Sequence, residues 1–194
     1  MNMQVGVLAL QGAFAAHSDC LTSIGVQSIE VRTPEQLNSV DALLMPGGES
    51  STMSQLLESS GLFDPIASRI ADGMPVFGTC AGMILLASEI LDGRSDQRRF
   101  SAIDISVRRN AFGRQVDSFE STINSPVGEF HGVFIRAPRI ERVGEEVEVL
   151  GSINDEPVLV RQGNVLAASF HPELSNDARL HEYFVSITAN RKKV

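Results

Sequence analysis

Pro75-Val76-Phe77-Gly78-Thr79-Cys80-Ala81-Gly82-Met83-Ile84-Leu85-Leu86 decides the fold. Pro75 to Phe77 reads as a brief strand that ends at Gly78. Ala81 to Leu91 (AGMILLASEIL) is apolar nearly all round, which predicts a buried helix. Between them lies a turn of the form G-x-C-x-G with Cys80 at its centre. A strand that passes directly into a buried helix is the unit from which parallel sheets are wound.

The upstream sequence repeats that alternation. Val5 to Leu10 is a short continuous apolar run, as expected of a strand covered on both faces. Phe14, His17, Leu21 and Ile24 recur at helical spacing, and Gly25 can end that helix. Gln27–Val31 and Asp41–Met45 read as two further strands, the second closed by Pro46-Gly47-Gly48. Ser51–Ser60 and Phe63–Ala71 read as helices. The expectation is an α/β fold: a three-layer sandwich with a mostly parallel central sheet flanked by helices on both faces.

Downstream the pattern changes. Ile103–Arg108, Gln115–Asn124, Val133–Arg136, Val147–Ile153, Val158–Arg161 and Val165–Phe170 read as strands separated by Gly, Pro and Asn, which predicts extra antiparallel strands in the second half. Ser175 or Asn176 can cap a final helix whose apolar face is Leu180, Tyr183, Phe184 and Ile187. Asp92–Arg99 is polar and reads as a surface loop, the stretch where disorder is expected. With no repeat or linker signal, residues 1–194 are expected to form a single domain.

Sixteen Lys and Arg stand against 24 Asp and Glu, a net charge of −8 that repels phosphate backbones and argues against nucleic acid as a partner. The basic tail Arg191-Lys192-Lys193 is too short to reverse this. Cys20 and Cys80 make no disulfide framework and read as reduced thiols. The early apolar run lacks a basic flank, and no stretch approaches the roughly 20 apolar residues of a membrane span. A soluble, cytoplasmic protein is expected.

Cys80 sits where a nucleophile would. The serine version of its pattern is the nucleophile elbow of α/β hydrolases. A tight strand–helix turn projects the side chain clear of the sheet. The following helix N-terminus favours thiolate, and the Ala81 N–H is left free to hold an oxyanion. Cys20, beside the Phe14/His17/Leu21/Ile24 face, reads as structural.

A cysteine nucleophile needs a base. Among His17, His131, His171 and His181, His171 stands out, because it follows the apolar strand Val165–Phe170 and has an acid two residues on, in Ser169-Phe170-His171-Pro172-Glu173. Residues i and i+2 of an extended chain face the same way, about 6.6–6.8 Å apart, and Pro172 biases His171 toward that conformation. Glu173 can then set the His171 tautomer. The other three histidines read as structural or surface. No pair has metal-ligand spacing.

Pro46-Gly47-Gly48-Glu49-Ser50-Ser51 opens a helix at a strand end but lacks the lysine of a phosphate loop. Arg109 and Arg136 lie at strand ends, where either could grip a carboxylate.

Together these segments resemble the class I (triad) glutamine amidotransferases, and within them the glutaminase subunits of pyridoxal 5′-phosphate synthases. The matching stretches are Leu10–Ala13, Pro46–Ser50, Phe77–Gly82, Arg109–Glu120 (RNAFGRQVDSFE), Phe134–Pro138 (FIRAP) and Ser169–Glu173. The resemblance implies hydrolysis of L-glutamine to L-glutamate and ammonia through a cysteine thioester, with Cys80, His171 and Glu173 catalytic. It implies an oxyanion hole from the Gly48 and Ala81 N–H groups, and glutamine bound by Gly48, Glu49, Ser50, Arg109, Ile135 and Arg136. Gln11 corresponds to a family residue near the subunit junction. The implied partner is a separate (β/α)8-barrel synthase subunit, whose product is pyridoxal phosphate. No cofactor or metal is implied for this chain, and nothing carries over to Asp92–Phe100. Three alternatives stay open: another enzyme on the same fold (a glutaminase of another synthase or a thiol hydrolase), a non-catalytic regulatory module, and a cysteine redox sensor.

Overall fold

The computed structural model describes residues 3–109, 118–125 and 127–191. Five parallel strands lie in the order β2 (Gln27–Val31), β1 (Gln4–Leu8), β3 (Ala42–Met45), β4 (Val76–Thr79) and β12 (Val165–Ala168). β11 (Glu156–Gln162) and β10 (Glu148–Ile153) extend the β12 edge antiparallel, giving seven strands.

The strands read as apolar runs because both faces are covered. Val5, Val7, Ala42, Leu44, Phe77, Leu166 and Ala168 point to one side, where they meet Leu21 of α1 (Phe14–Ser23) and Leu180 and Phe184 of α6 (Arg179–Arg191). Leu8, Leu43, Met45, Val76, Val165 and Ala167 point to the other. That second core takes in Leu37 of α2 (Pro34–Asn38), Met53 and Leu57 of α3 (Ser50–Ser59), Ile66 of α4 (Phe63–Ala71) and the whole of α5 (Ala81–Leu86). The period-2 alternation of the strands thus divides the core into two layers.

Two smaller sheets complete the second half. β5 (Ala87–Ile90) pairs parallel with β6 (Ile103–Arg108), which pairs antiparallel with β9 (Arg139–Val143). β7 (Ser118–Ser125) and β8 (Gly128–Ile135) form a hairpin.

Several sequence expectations need correction. The helix expected over Ala81–Leu91 ends at Leu86, and the chain turns into β5. An all-apolar run carries no period, so it cannot mark where a helix stops. Ser88 and Glu89 carried the signal, because their side chains are met by β6: Ser88 donates to the Ile105 carbonyl at 3.0 Å, and Glu89 accepts from Ser106 at 2.6 Å. β9 and α2 were missed. α2 has a capping box in Thr33-Pro34-Glu35-Gln36: Thr33 accepts the Gln36 N–H, and the Gln36 side chain accepts the Thr33 N–H at 3.1 Å. The final helix begins at Arg179, whose N–H is accepted by Asp177 at 3.1 Å, not by Ser175 or Asn176. His131, which follows Gly128-Glu129-Phe130 in a stretch expected to be a loop, lies within β8, paired with Glu120 at 2.6 Å. Residues 115–117 of the expected Gln115–Asn124 strand lie outside the described residues. Among the described residues no helix is long and apolar enough to cross a membrane.

Candidate active site

The carboxyl ends of β1, β3, β4 and β12 deliver Gln11, Gly47–Gly48, Cys80 and His171 to one edge of the sheet. Strand order reverses between β1 and β3, and open α/β sheets bind ligands at such a switch point.

Cys80 has φ 49° and ψ −104°, a left-handed conformation that a non-glycine residue adopts only under constraint. The constraint is visible. The Cys80 N–H is tied to the Ala168 carbonyl at 2.8 Å, and its own carbonyl takes the Ile84 N–H at 3.2 Å to start α5. The chain must therefore turn from ladder to helix within one residue. Gly82 permits the turn because a Cβ there would collide with the Met45 carbonyl on the neighbouring strand. The Ala81 N–H stands in the first turn of α5, where helices leave N–H groups without intrahelical partners.

His171 follows β12, its N–H bound to the Val133 carbonyl of β8 at 2.8 Å. Its Nδ1 lies 2.8 Å from Glu173 Oε1, with both residues buried. The sequence reading placed Glu173 on an extended chain. Instead it lies in a 3-10 turn, Pro172–Leu174, and His171 alone stays near the extended region at φ −108°, ψ 86°. Pro172 accounts for both halves, restricting the residue before it and starting the turn.

Burial pushes the His171 pKa down, but hydrogen bonds to Cys80 and Glu173 and the charges of both outweigh it and raise it to about 10. A Cβ on Gly47 would strike the His171 ring and come within 3.3 Å of Cys80 Cβ, so only glycine leaves room for that pair here.

At the open side of the site Arg109 is held by three groups. It donates to Ser51 Oγ at 2.8 Å, Gln97 Oε1 at 2.9 Å and Glu49 Oε1 at 3.0 Å. Glu49 also caps α3, accepting N–H bonds from Ser51 at 3.1 Å and Thr52 at 2.7 Å. Partial burial raises its pKa, but the Thr52 and Ser51 hydrogen bonds and Arg109 together bring it below the usual range. Its carboxylate is therefore engaged by α3 and by Arg109. Gln11 Oε1 accepts the Glu49 N–H at 3.3 Å and covers Gly48, whose φ is 153°. Ser50 is buried at the start of α3. Ile135 ends β8, and Arg136 follows with φ 45°.

Sequence reasoning missed Ser51 and Gln97. Gln97 belongs to the Asp92–Phe100 stretch, which is a loop as expected but is docked rather than loose. Arg98 lies 3.7 Å over the Phe63 ring, and Phe100 stacks on the same ring at 4.4 Å. Residues 110–117 of the RNAFGRQVDSFE motif lie outside the described residues.

Residues 7–190 match the sequence profile of the SNO glutamine amidotransferase family. The chain belongs to that family. A Salinispora arenicola protein named pyridoxal 5′-phosphate synthase subunit PdxT is 56% identical over 191 residues, 94% of this chain and 95% of its own. A Herpetosiphon aurantiacus protein of the same name is 56% identical over 190 residues, covering 95% of this chain and all of its own. A solved glutamine amidotransferase superposes with a TM-score of 0.91 at 51% identity, over 95% of this chain and 98% of that one. The SNO family member described here thus shares its architecture with a glutamine amidotransferase at high identity.

Proposed function

We propose that the chain is the glutaminase subunit of a pyridoxal 5′-phosphate synthase, hydrolysing L-glutamine at Cys80, His171 and Glu173. The observation that carries the reading is the strained Cys80 elbow beside the buried His171–Glu173 pair. With its proton affinity raised, His171 is a strong base toward the Cys80 thiol. The sulfur attacks the side-chain amide carbon of glutamine. The tetrahedral oxyanion is taken by the Gly48 and Ala81 N–H groups. His171 passes its proton to the amide nitrogen, the C–N bond breaks, and ammonia leaves a glutamyl thioester. Water, deprotonated by His171, cleaves the thioester to glutamate and restores Cys80. Glu173 holds the His171 ring so that Nε2 faces the sulfur.

Gly48, Glu49, Ser50, Arg109, Ile135 and Arg136 bind glutamine, with the Arg109 guanidinium answering its carboxylate. The ammonia goes to a (β/α)8-barrel synthase subunit, which forms pyridoxal phosphate. That coenzyme is the partner's product, and this chain needs no cofactor. The names of its relatives at 56% identity support this choice of partner.

Glutamate release is the test, measured for the purified chain alone and with a pyridoxal 5′-phosphate synthase subunit. Low release alone and a rise with the partner are expected. No release in either case, with the partner bound, would overturn the reading.

A further inference from the structure

Behind the triad lies a second set of buried polar groups that the mechanism above does not use. α1 supplies His17, the last residue of β4 is Thr79, and α6 supplies His181. All three are fully buried. His17 Nε2 is 3.3 Å from Glu173 Oε2 and 3.2 Å from Thr79 Oγ1, and His17 Nδ1 is 2.9 Å from His181 Nε2. Glu173 Oε1 is occupied by His171. Its Oε2 is buried and has no hydrogen bond of good geometry among the described residues, which makes His17 the polar support shown for it.

We propose that His17 is a fourth, positioning member of the triad, which donates its Nε2–H toward Glu173 Oε2 and Thr79 and is itself fixed by His181. This rests on the glutaminase reading. A carboxylate gripped at one oxygen can rotate about its last torsion, whereas one met at both oxygens presents a fixed lone pair to His171. Thr79 precedes Cys80, so the same Nε2–H also ties the acid to the elbow that carries the nucleophile.

The direction of the hydrogen bonds follows from burial. Desolvation, and then repulsion from His181 and His171, holds the His17 pKa well below its usual value, and burial takes His181 down to about 4. Both rings are neutral at neutral pH, with one N–H each. If His17 carries its proton on Nε2, Nδ1 accepts from His181 Nε2–H, and the atom left over is a bare lone pair on His181 Nδ1. That atom has no partner among the described residues. In the opposite arrangement His181 Nδ1 would bear a buried N–H without an acceptor, and a His17 lone pair would face the Glu173 carboxylate. Both outcomes cost free energy, so the first arrangement holds.

Two measurements test this. Kinetics use the complex with the synthase subunit and compare His17→Gln, His17→Asn and His17→Leu. A glutamine amide nitrogen reaches the place of Nε2, whereas an asparagine reaches only that of Nδ1. The Gln variant should keep kcat within about threefold of the parent, while Asn and Leu lose about 10–100-fold in kcat with the KM for glutamine little changed. Equal rates in all three, or losses that merely follow their melting temperatures, would reduce His17 to packing and overturn the proposal. If the parent complex itself releases no glutamate, it is the glutaminase reading that fails. The second measurement needs no variant. Nitrogen-15 spectra of the unsubstituted chain at pH 7 should show His17 neutral with its proton on Nε2, and a proton on Nδ1 or a charged ring would equally overturn the proposal.

Discussion

The two sides of the candidate active site are built from the same kinds of bond in opposite surroundings. At the rear, His17, Thr79, His181 and Glu173 are sealed from solvent. At the front, Arg109 keeps 16% of its side chain exposed and Glu49 keeps 48%. Water screens the front network, so its Arg109–Glu49 ion pair contributes little, roughly 1 kcal/mol or less. The rear groups have no water to fall back on, so removing one leaves its partner unsatisfied. The rear should therefore control the rate of chemistry and the stability of the fold, and the front should control substrate affinity.

The largest effect expected is at Cys80. Cys80→Ala should remove glutamate release to background, a loss on the order of 1000-fold or more, with an unchanged circular dichroism spectrum. Glu173→Gln comes next. A neutral amide at the rear cannot stabilise the His171 cation or fix its tautomer, and kcat should fall on the order of 100- to 10000-fold with KM nearly constant. An equal change in KM would break the division between rear and front.

Gly47→Ala sharpens the comparison sterically. Its methyl group would meet the His171 ring, and the displaced base should slow turnover by about tenfold or more in the same assay. Arg109→Ala should act on the other side, raising the KM for glutamine about tenfold with kcat within a factor of about three. Gln97→Ala, which loosens Arg109 without removing it, should do the same more weakly, by about threefold in KM.

Stability against pH separates the two classes of histidine. His171 has a folded pKa raised from 6.5 to about 10, so its contribution is fully present below about pH 6.5 and is lost as pH rises through about 10. His181 has a folded pKa lowered from 6.5 to about 4, so the unfolded chain binds the extra proton and stability falls as pH drops from about 6.5 toward 4. His17 acts in the same direction. Denaturant titrations from pH 4 to 10 should show a maximum near pH 6.5. His181→Gln should flatten the acid limb while leaving the alkaline limb in place.

The parallel half of the fold was legible because its strands are covered on both faces, and the apolar runs Val5–Leu10 and Asp41–Met45 have no other use. The elbow was legible because Gly78 and Gly82 answer steric demands that only glycine meets. His171 and Glu173 were legible because two residues and a proline bring them together locally. The rear histidines were not, since His17 and His181 are separated by 164 positions and meet only when α1 and α6 pack on the same face of the sheet. Each looked like an ordinary helix residue. Gln97 was hidden for a similar reason: a polar loop becomes ordered once Arg98 and Phe100 find the Phe63 ring, and that contact lies outside any local pattern. The end of α5 was hard to read because Ala81–Leu86 is buried all round and shows no period, and Ser88 and Glu89 find their partners only on β6.

The central claim is that Cys80 is a nucleophile aimed at a glutamine side chain, and covalent capture tests it most directly. The chain would be incubated, in complex with the synthase subunit, with an electrophilic glutamine analogue bearing a diazoketone in place of the amide, and the product mapped by peptide mass spectrometry. The account predicts one adduct on the Cys80 peptide, suppressed by L-glutamine and absent in Cys80→Ala, with Cys20 untouched. An adduct on Cys20, or labelling of Cys80 that glutamine does not suppress, would contradict it.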